Sequence, residues 1–261
     1  HTRYIGDWSS DVCSSDLKVA IVSKSDQPGT DVNYLFAQVG IEAGIVDTNP
    51  SCGNMLAGIG PYAIETGLVS AEEGETKVNI YNVNTQSMIE AVVQTPNKRV
   101  NYQGSAEIDG VPGSSAPIFL NFTDVCGSKT SGLLPTGKVI EKIDGIDASC
   151  VDVAMPMILF RATDFGITGY ESRDEIAENK KLFEMMEPLR LQAGERMGLG
   201  DVSESVIPKV GLLAEPKEGG DICSRYFMPW KLHAAHAVTG AICVASAASV
   251  PGTIAFELSK K

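Results

Sequence analysis

The sequence predicts an α+β chain of two strand-rich halves, each wrapped around one helix of small residues. Three observations carry this. Short apolar runs bounded by turn residues recur from Lys18 to Met228. Two segments, 52–66 and 232–250, are rich in Gly and Ala and apolar almost all round. Such helices have to be enclosed on every face, and their small side chains let the walls come close. Finally, each half repeats the order strands, loop and buried helix, although no repeat shows in the sequence itself.

Each element follows from its residues. Segments 18–24 (KVAIVSK) and 34–41 (YLFAQVGI) read as strands, joined through Asp26-Gln27-Pro28-Gly29. In DTNPSCGNMLAGIGPYAIETGLV, the residues Met55, Leu56, Ile59, Ala63 and Ile64 keep helical spacing from a start near Cys52. Gly67 suits the C-cap. Pro61 is expected to bend this helix and leave a carbonyl without its partner. Segments 78–83 and 88–95 read as a hairpin turning near Asn84-Thr85-Gln86. Segment 117–122 is a strand, and CGSKTSGLLPTGK is a loop.

Short apolar strands follow at 149–153 and 157–161. Ile176, Phe183, Met186, Leu189, Ala193 and Met197 share one face of a helix over 174–197, with a kink expected at Pro188. Segments 207–214 and 222–228 are strands, and LHAAHAVTGAICVASAASV is the second small-residue helix. The halves divide as 18–145 and 146–261.

The opening stretch stands apart. Asp7 to Leu17 (DWSSDVCSSDL) back-translates to a DNA string resembling a common sequencing-library adapter primer. Residues 1–17 are therefore read as translated adapter, with Lys18 the first native residue, and are left out of the fold reasoning.

The chain carries a formal charge of −12 at pH 7, and about −10 without residues 1–17. An acidic surface argues against nucleic acid and anionic membranes as partners. No apolar run approaches a membrane span. Cys52, Cys126, Cys150, Cys223 and Cys243 are odd in number and show no CxxC spacing, as expected of reduced thiols in a cytoplasmic protein. His233 and His236 have no nearby cysteine to complete a zinc site, so no metal is expected.

Cys52-Gly53-Asn54 sits where a loop enters a helix. The N–H groups at that end favour an anion, and thiols so placed ionise readily. Gly53 lets a ligand approach the backbone. An inert, packed cysteine is the other reading. His233 and His236 open the second small-residue helix, where either capping or donation to a carboxylate is open. Arg225, on the preceding strand, offers a carboxylate clamp. Leu134-Pro135-Thr136-Gly137-Lys138 is a turn whose amides suit an anion nest. By composition alone, Lys18 is an ordinary strand-start lysine.

Taken together, KVAIVS at 18–23, DVNYLFAQV at 31–39 and CGNMLA at 52–57 resemble the methylaconitate isomerase/oxalomesaconate tautomerase family, of the diaminopimelate-epimerase-like fold. DGVPG at 109–113, LPTG at 134–137, MGLGDVS at 197–203 and VIPK at 206–209 extend the resemblance over essentially all of 18–261. MGLGDVSESVIPK and DVNYLFAQV look closer to the oxalomesaconate tautomerases. The resemblance implies two pseudo-symmetric barrel-like halves, each around a central helix, with the active site between them.

It also implies a cofactor-independent isomerase acting on a small unsaturated tricarboxylate. 4-Oxalomesaconate is the first substrate; 2-methylaconitate and a non-catalytic carboxylate binder are the alternatives. Lys18 and Cys52 match the family's catalytic lysine and cysteine. Ser51, Gly53, Asn54, Thr136, Gly137, Arg225 and His233 become the substrate-binding candidates. A homodimer is the assembly left open. Three departures stand out. His233 and His236 occupy the place of the second cysteine of diaminopimelate epimerases, which excludes a two-cysteine mechanism. Lys138 replaces a frequent Asn. The Gly-Gly-Thr-Ser-Lys and His-Pro-Ser-Gly segments are absent, as expected of a chain truncated at both ends.

Overall fold

The structure is a computed structural model that describes residues 3–6, 16–40, 45–48, 51–109, 111–123, 125–217, 219–228 and 230–260. Residues 1–17 lie largely outside this set, as do Ile41 of the expected second strand and Gly110 of the DGVPG motif. Two compact units divide at residues 124 and 125. Segment 125–133 belongs to the second of them and is bonded to residues 152–154. Gly127 N donates to Asp152 O, Asp152 N to Leu133 O, and Ala154 N to Val125 O.

The first unit holds strands β1 (Arg3–Gly6), β2 (Asp16–Lys24), β3 (Val32–Gly40), β4 (Ile45–Asp47), β5 (Gly74–Asn82), β6 (Ser87–Thr95) and β7 (Ile118–Phe122). Its helices are α1 (Gly53–Leu56) and α2 (Ile59–Glu65). The sheet order is β1-β2-β3-β5-β6-β7, with β4 on β3. Arg3–Gly6, excluded from the sequence reasoning, thus pairs antiparallel with β2. Among the described residues of this unit only β3 and β5 pair parallel, and the chain between them carries α1 and α2, as a parallel connection requires a crossover.

One face of this sheet is covered. On β5 the buried positions Val78, Ile80 and Asn82 alternate with more exposed ones, the period-2 signature of a half-buried strand. Ile59 and Ala63 of α2 join Tyr34, Ile80 and Val93 in its core. A Cβ on Gly60 would meet Val93 Cγ2 at 2.8 Å, so glycine permits the close approach of α2 to β6.

Pro61 does not bend a helix. The break falls at Ala57 and Gly58, and Pro61 is the third residue of α2, where a missing N–H removes no intrahelical bond. The expected C-cap is present: Gly67, at φ +75°, donates to Ile64 O, and Leu68 N donates to Ala63 O, the paired bonds of a Schellman motif.

The second unit has the sheet order β12-β11-β10-β9-β8. Its strands are β8 (Glu141–Ile143), β9 (Ile146–Asp152), β10 (Pro156–Arg161), β11 (Lys209–Ala214) and β12 (Cys223–Phe227). Its helices are α3 (Arg173–Glu178), α4 (Lys180–Arg196), α5 (Val238–Ala248) and α6 (Ile254–Leu258). Again one pair, β10 with β11, is parallel, and the crossover holds α3 and α4. Here both faces are covered. Ile158 and Leu212 pack with Met186 and Leu189 of α4 on one side. Leu159 and Leu213 pack with Cys243 and Val244 of α5 on the other. That is why MILF and VGLL are unbroken apolar runs.

Four expectations for this unit are corrected. The helix expected over 174–197 breaks at Asn179, whose side chain caps α4 through Leu182 N. Pro188 lies inside α4 without a break. Pro188 and Glu184 are both exposed, so water can take the carbonyl that proline leaves. The second small-residue helix, α5, starts only at Val238, because Leu232 and His233 are bonded to β12 instead: Phe227 bridges Leu232, and His233 N donates to Tyr226 O. Nor is α5 enclosed all round; Gly240, Cys243, Val244 and Ala247 are buried, while Ala241 and Ala245 are exposed. The close wall is real on the buried side, where a Cβ on Gly240 would meet the Tyr226 ring at 2.3 Å. No helix among the described residues is long and apolar enough to cross a membrane.

Candidate active site

Ser51, Cys52, Gly53 and Asn54 form one turn at the entry to α1. Cys52 is the N-cap, in extended backbone, and its side chain makes no capping bond. Its thiol is half-buried against the first unit's core. The Cys52 carbonyl accepts from Leu56 N at 3.1 Å and from the Tyr34 hydroxyl at 3.1 Å. Gly53 is buried at the first helical position, and Asn54 is exposed at the second. Ser51 Oγ accepts from Asn82 Nδ2 at 2.7 Å.

Tyr34 is fully buried beneath this turn. Burial first, and the charge of Cys52 second, hold its hydroxyl well above the ordinary range, so it stays a donor. Lys18 is half-buried on β2, opposite Gln38 of β3, which in turn faces Asp47 of β4. No hydrogen bond or ion pair joins Lys18 to Cys52 among the described residues.

The remaining candidates belong to the second unit. Gly137, at φ +71°, closes the Leu134–Pro135–Thr136 turn by donating to Leu134 O at 2.9 Å. Thr136 Oγ1 is buried with no partner among the described residues. The loop carrying this turn is fixed by Asp152, whose fully buried carboxylate accepts from Ser128 Oγ at 2.6 Å, Lys129 N at 2.8 Å and Thr130 Oγ1 at 2.9 Å.

Arg225 and His233 come together, with Arg173 and Ser224, around a cavity of 50 Å³. The Nε–Nη2 edge of Arg225 is already engaged, donating to Gly169 O and Glu171 O at 2.8 Å each. That leaves the end-on Nη1–Nη2 edge, with one N–H on each nitrogen, without a partner among the described residues. His233 is not at a helix start. Its Nδ1 accepts from Ala235 N at 3.1 Å, which leaves Nε2 to carry the proton of the neutral ring. His236 is likewise in the loop, with Nδ1 at 3.1 Å from Ala237 O and Nε2 at 3.1 Å from Ser224 Oγ. Burial lowers its pKa and favours the neutral ring.

Sequence reasoning missed Tyr34, Asn82, Asp152 and Arg173. Tyr34 sits in the inward register of β3, a visible signal of burial but not of its bond to Cys52. For the other three, the signal is a tertiary contact.

A family model described as PrpF protein matches residues 8–261. The chain belongs to the PrpF family. The YbhH protein of Escherichia coli strain K12 is 49% identical over 241 residues, covering 92% of this chain and 69% of that protein. The (4E)-oxalomesaconate Delta-isomerase of Novosphingobium sp. strain KA1 is 47% identical, covering 93% of this chain and 68% of that protein. At 32% identity, 2-methyl-aconitate isomerase of Cupriavidus necator covers 92% of this chain and 68% of that protein. The crystal structure of methylitaconate-delta-isomerase superposes with a TM-score of 0.82 at 35% identity, covering 94% of this chain and 69% of that one. This PrpF chain is thus an isomerase with the α+β, two-sheet fold expected from the resemblance.

Proposed function

We propose that this PrpF chain catalyses the keto–enol tautomerisation of 4-oxalomesaconate, with Cys52 and Lys18 as the acid/base pair. The carbon acid lies beside carbonyl and carboxylate groups. Removing its proton sends the C–H electron pair into a new C=C bond and the carbonyl electrons onto oxygen. A second proton transfer converts that oxyanion to the enol, so the product is an isomer and no electron acceptor enters. The uncapped helix entry at Cys52, with Gly53 and Asn54, offers N–H groups where negative charge develops. Ser51, and Thr136, Gly137, Arg225 and His233 of the second unit, are the groups proposed to take the carboxylates.

The observation that supports this reading most is the Cys52 turn, a thiol at an amide tip that spends no bond on capping. Identity favours the oxalomesaconate substrate, at 47% against 32% for the 2-methyl-aconitate isomerase. The test follows ultraviolet absorbance with each acid in turn. Turnover of 4-oxalomesaconate is expected, and Cys52→Ser and Lys18→Met should each lower kcat by about 10²–10⁴-fold. Near-wild-type rates in both variants would overturn the assignment. Turnover of 2-methylaconitate alone would move it to that substrate, and tight binding without turnover would leave a carboxylate-binding protein.

A further inference from the structure

The turn that carries Cys52 has little of its own to keep its shape. Helix α1 is only four residues long, and the Cys52 side chain caps nothing. Beside the Tyr34 hydroxyl on the Cys52 carbonyl, the turn is held by the tip of the β5–β6 hairpin. Asn82, 3% exposed at the end of β5, accepts through Oδ1 from Asn84 N at 3.0 Å and from Thr85 N at 3.3 Å. Those two bonds decide which end of the amide is oxygen. The Nδ2 end is therefore the one that donates to Ser51 Oγ at 2.7 Å, one residue before the thiol.

Asn84, also on the hairpin tip, makes a similar hold on Thr48, a few residues before the thiol. It accepts from Phe36 N at 2.8 Å and donates to Phe36 O at 2.9 Å and Thr48 O at 2.6 Å. The hairpin tip thus holds the incoming chain at Thr48 and again at Ser51.

We propose that Asn82 is a positioning residue for Cys52, acting through Ser51 to hold the thiol at the entry of α1. The inference rests on the reading of Cys52 as the acid/base group. It adds to that reading a residue that touches no reacting atom. A buried amide makes this hold without placing a charge beside the thiol, and displacement of a reacting group by about 1 Å costs on the order of 10²-fold in rate.

The experiment combines kinetics with peptide-resolved mass spectrometry of iodoacetamide labelling. Asn82→Ala is expected to lower kcat about 10–100-fold with KM changed by less than about threefold. Iodoacetamide should label Cys52 at least about threefold more slowly than in the wild type at pH 7, as the thiol leaves the amide tip. In a double-mutant cycle with Ser51→Ala, followed by Cys52 labelling without substrate, the two losses in labelling rate should not add, because each variant cuts the one Asn82–Ser51 bond.

Additive losses, or an unchanged labelling rate in folded protein, would overturn the proposal. If Asn82→Ala does not fold, Ser51→Ala cuts the same bond from the other end and leaves the hairpin tip intact. An unchanged Cys52 labelling rate there has the same adverse force. Labelling reads the geometry of the turn even if Cys52→Ser retains activity, so failure of the positioning role is separable from failure of the functional reading.

Discussion

Ser25, Thr76, Asn82 and Thr95 are the polar side chains that the first unit buries among its described residues, and none carries a charge. The second unit buries Glu141, Asp152, Arg190 and Lys209 beside Ser149 and Thr253. Both units use such groups to fix a loop bearing candidate site residues. The Cys52 turn is held by an amide and a phenol, and the Thr136 loop by a carboxylate. A neutral group loses little on leaving water and returns about 1 kcal/mol per bond. A charge loses several kcal/mol and has to recover it from several donors at once. Asp152 meets that condition with three. Arg190 does so with Glu187 and the carbonyls of Val202, Ser205 and Ile207. The second unit's loops are therefore held more firmly and are more easily ruined by one substitution.

Asp152→Ala should break this comparison most visibly. It leaves Ser128 Oγ, Lys129 N and Thr130 Oγ1 without the buried carboxylate that gathers them. A loss of about 3 kcal/mol or more is expected from urea denaturation. Stability within about 1 kcal/mol of the wild type would show that water replaces the carboxylate, and that the loop does not depend on the buried charge.

The same contrast explains what could be read from the sequence. The alternation on β5 and the unbroken runs of β10 and β11 are local patterns, and they report one covered face against two. The Gly67 cap and the α4 stripe are equally local. The anchors are not. Nothing near Asn82 announces Ser51, and nothing near Asp152 announces Ser128. The start of α5 escapes a local reading for a related reason: LHAAH has helical composition, but bonds to β12 take Leu232 and His233 first. Cys52 was legible because its chemistry depends on the turn it sits in, whereas the roles of Tyr34 and Asn82 depend on a neighbouring segment.

Lys209 sharpens the comparison through pH. Burial first, and the Arg190 charge second, lower its pKa from 10.5 to about 8. Below about pH 8 it is charged in both folded and unfolded chains, and the folded chain bears the desolvation cost. Between about 8 and 10.5 the unfolded chain binds more protons, so stability from this residue rises with pH, by at most about 1.4 kcal/mol per unit. Lys209→Met should therefore stabilise the protein by about 1–3 kcal/mol at pH 7 and by progressively less towards pH 10. Thermal unfolding of both proteins at several pH values reads the difference. A gap that does not narrow would mean that the lysine is not the source.

Tyr34→Phe is expected to have the smallest effect and tests the neutral side of the contrast. The ring stays in the core, and only the hydroxyl bond to the Cys52 carbonyl is lost. That carbonyl keeps its bond from Leu56 N at 3.1 Å, so no buried acceptor is orphaned. A loss of about 1 kcal/mol is expected. With Asn82 still in place, kcat should fall by no more than about threefold, because the turn keeps its second hold at Ser51. A loss as large as that of Asp152→Ala would mean that one neutral bond does here what takes three around a buried charge, and the distinction between the two units would not stand.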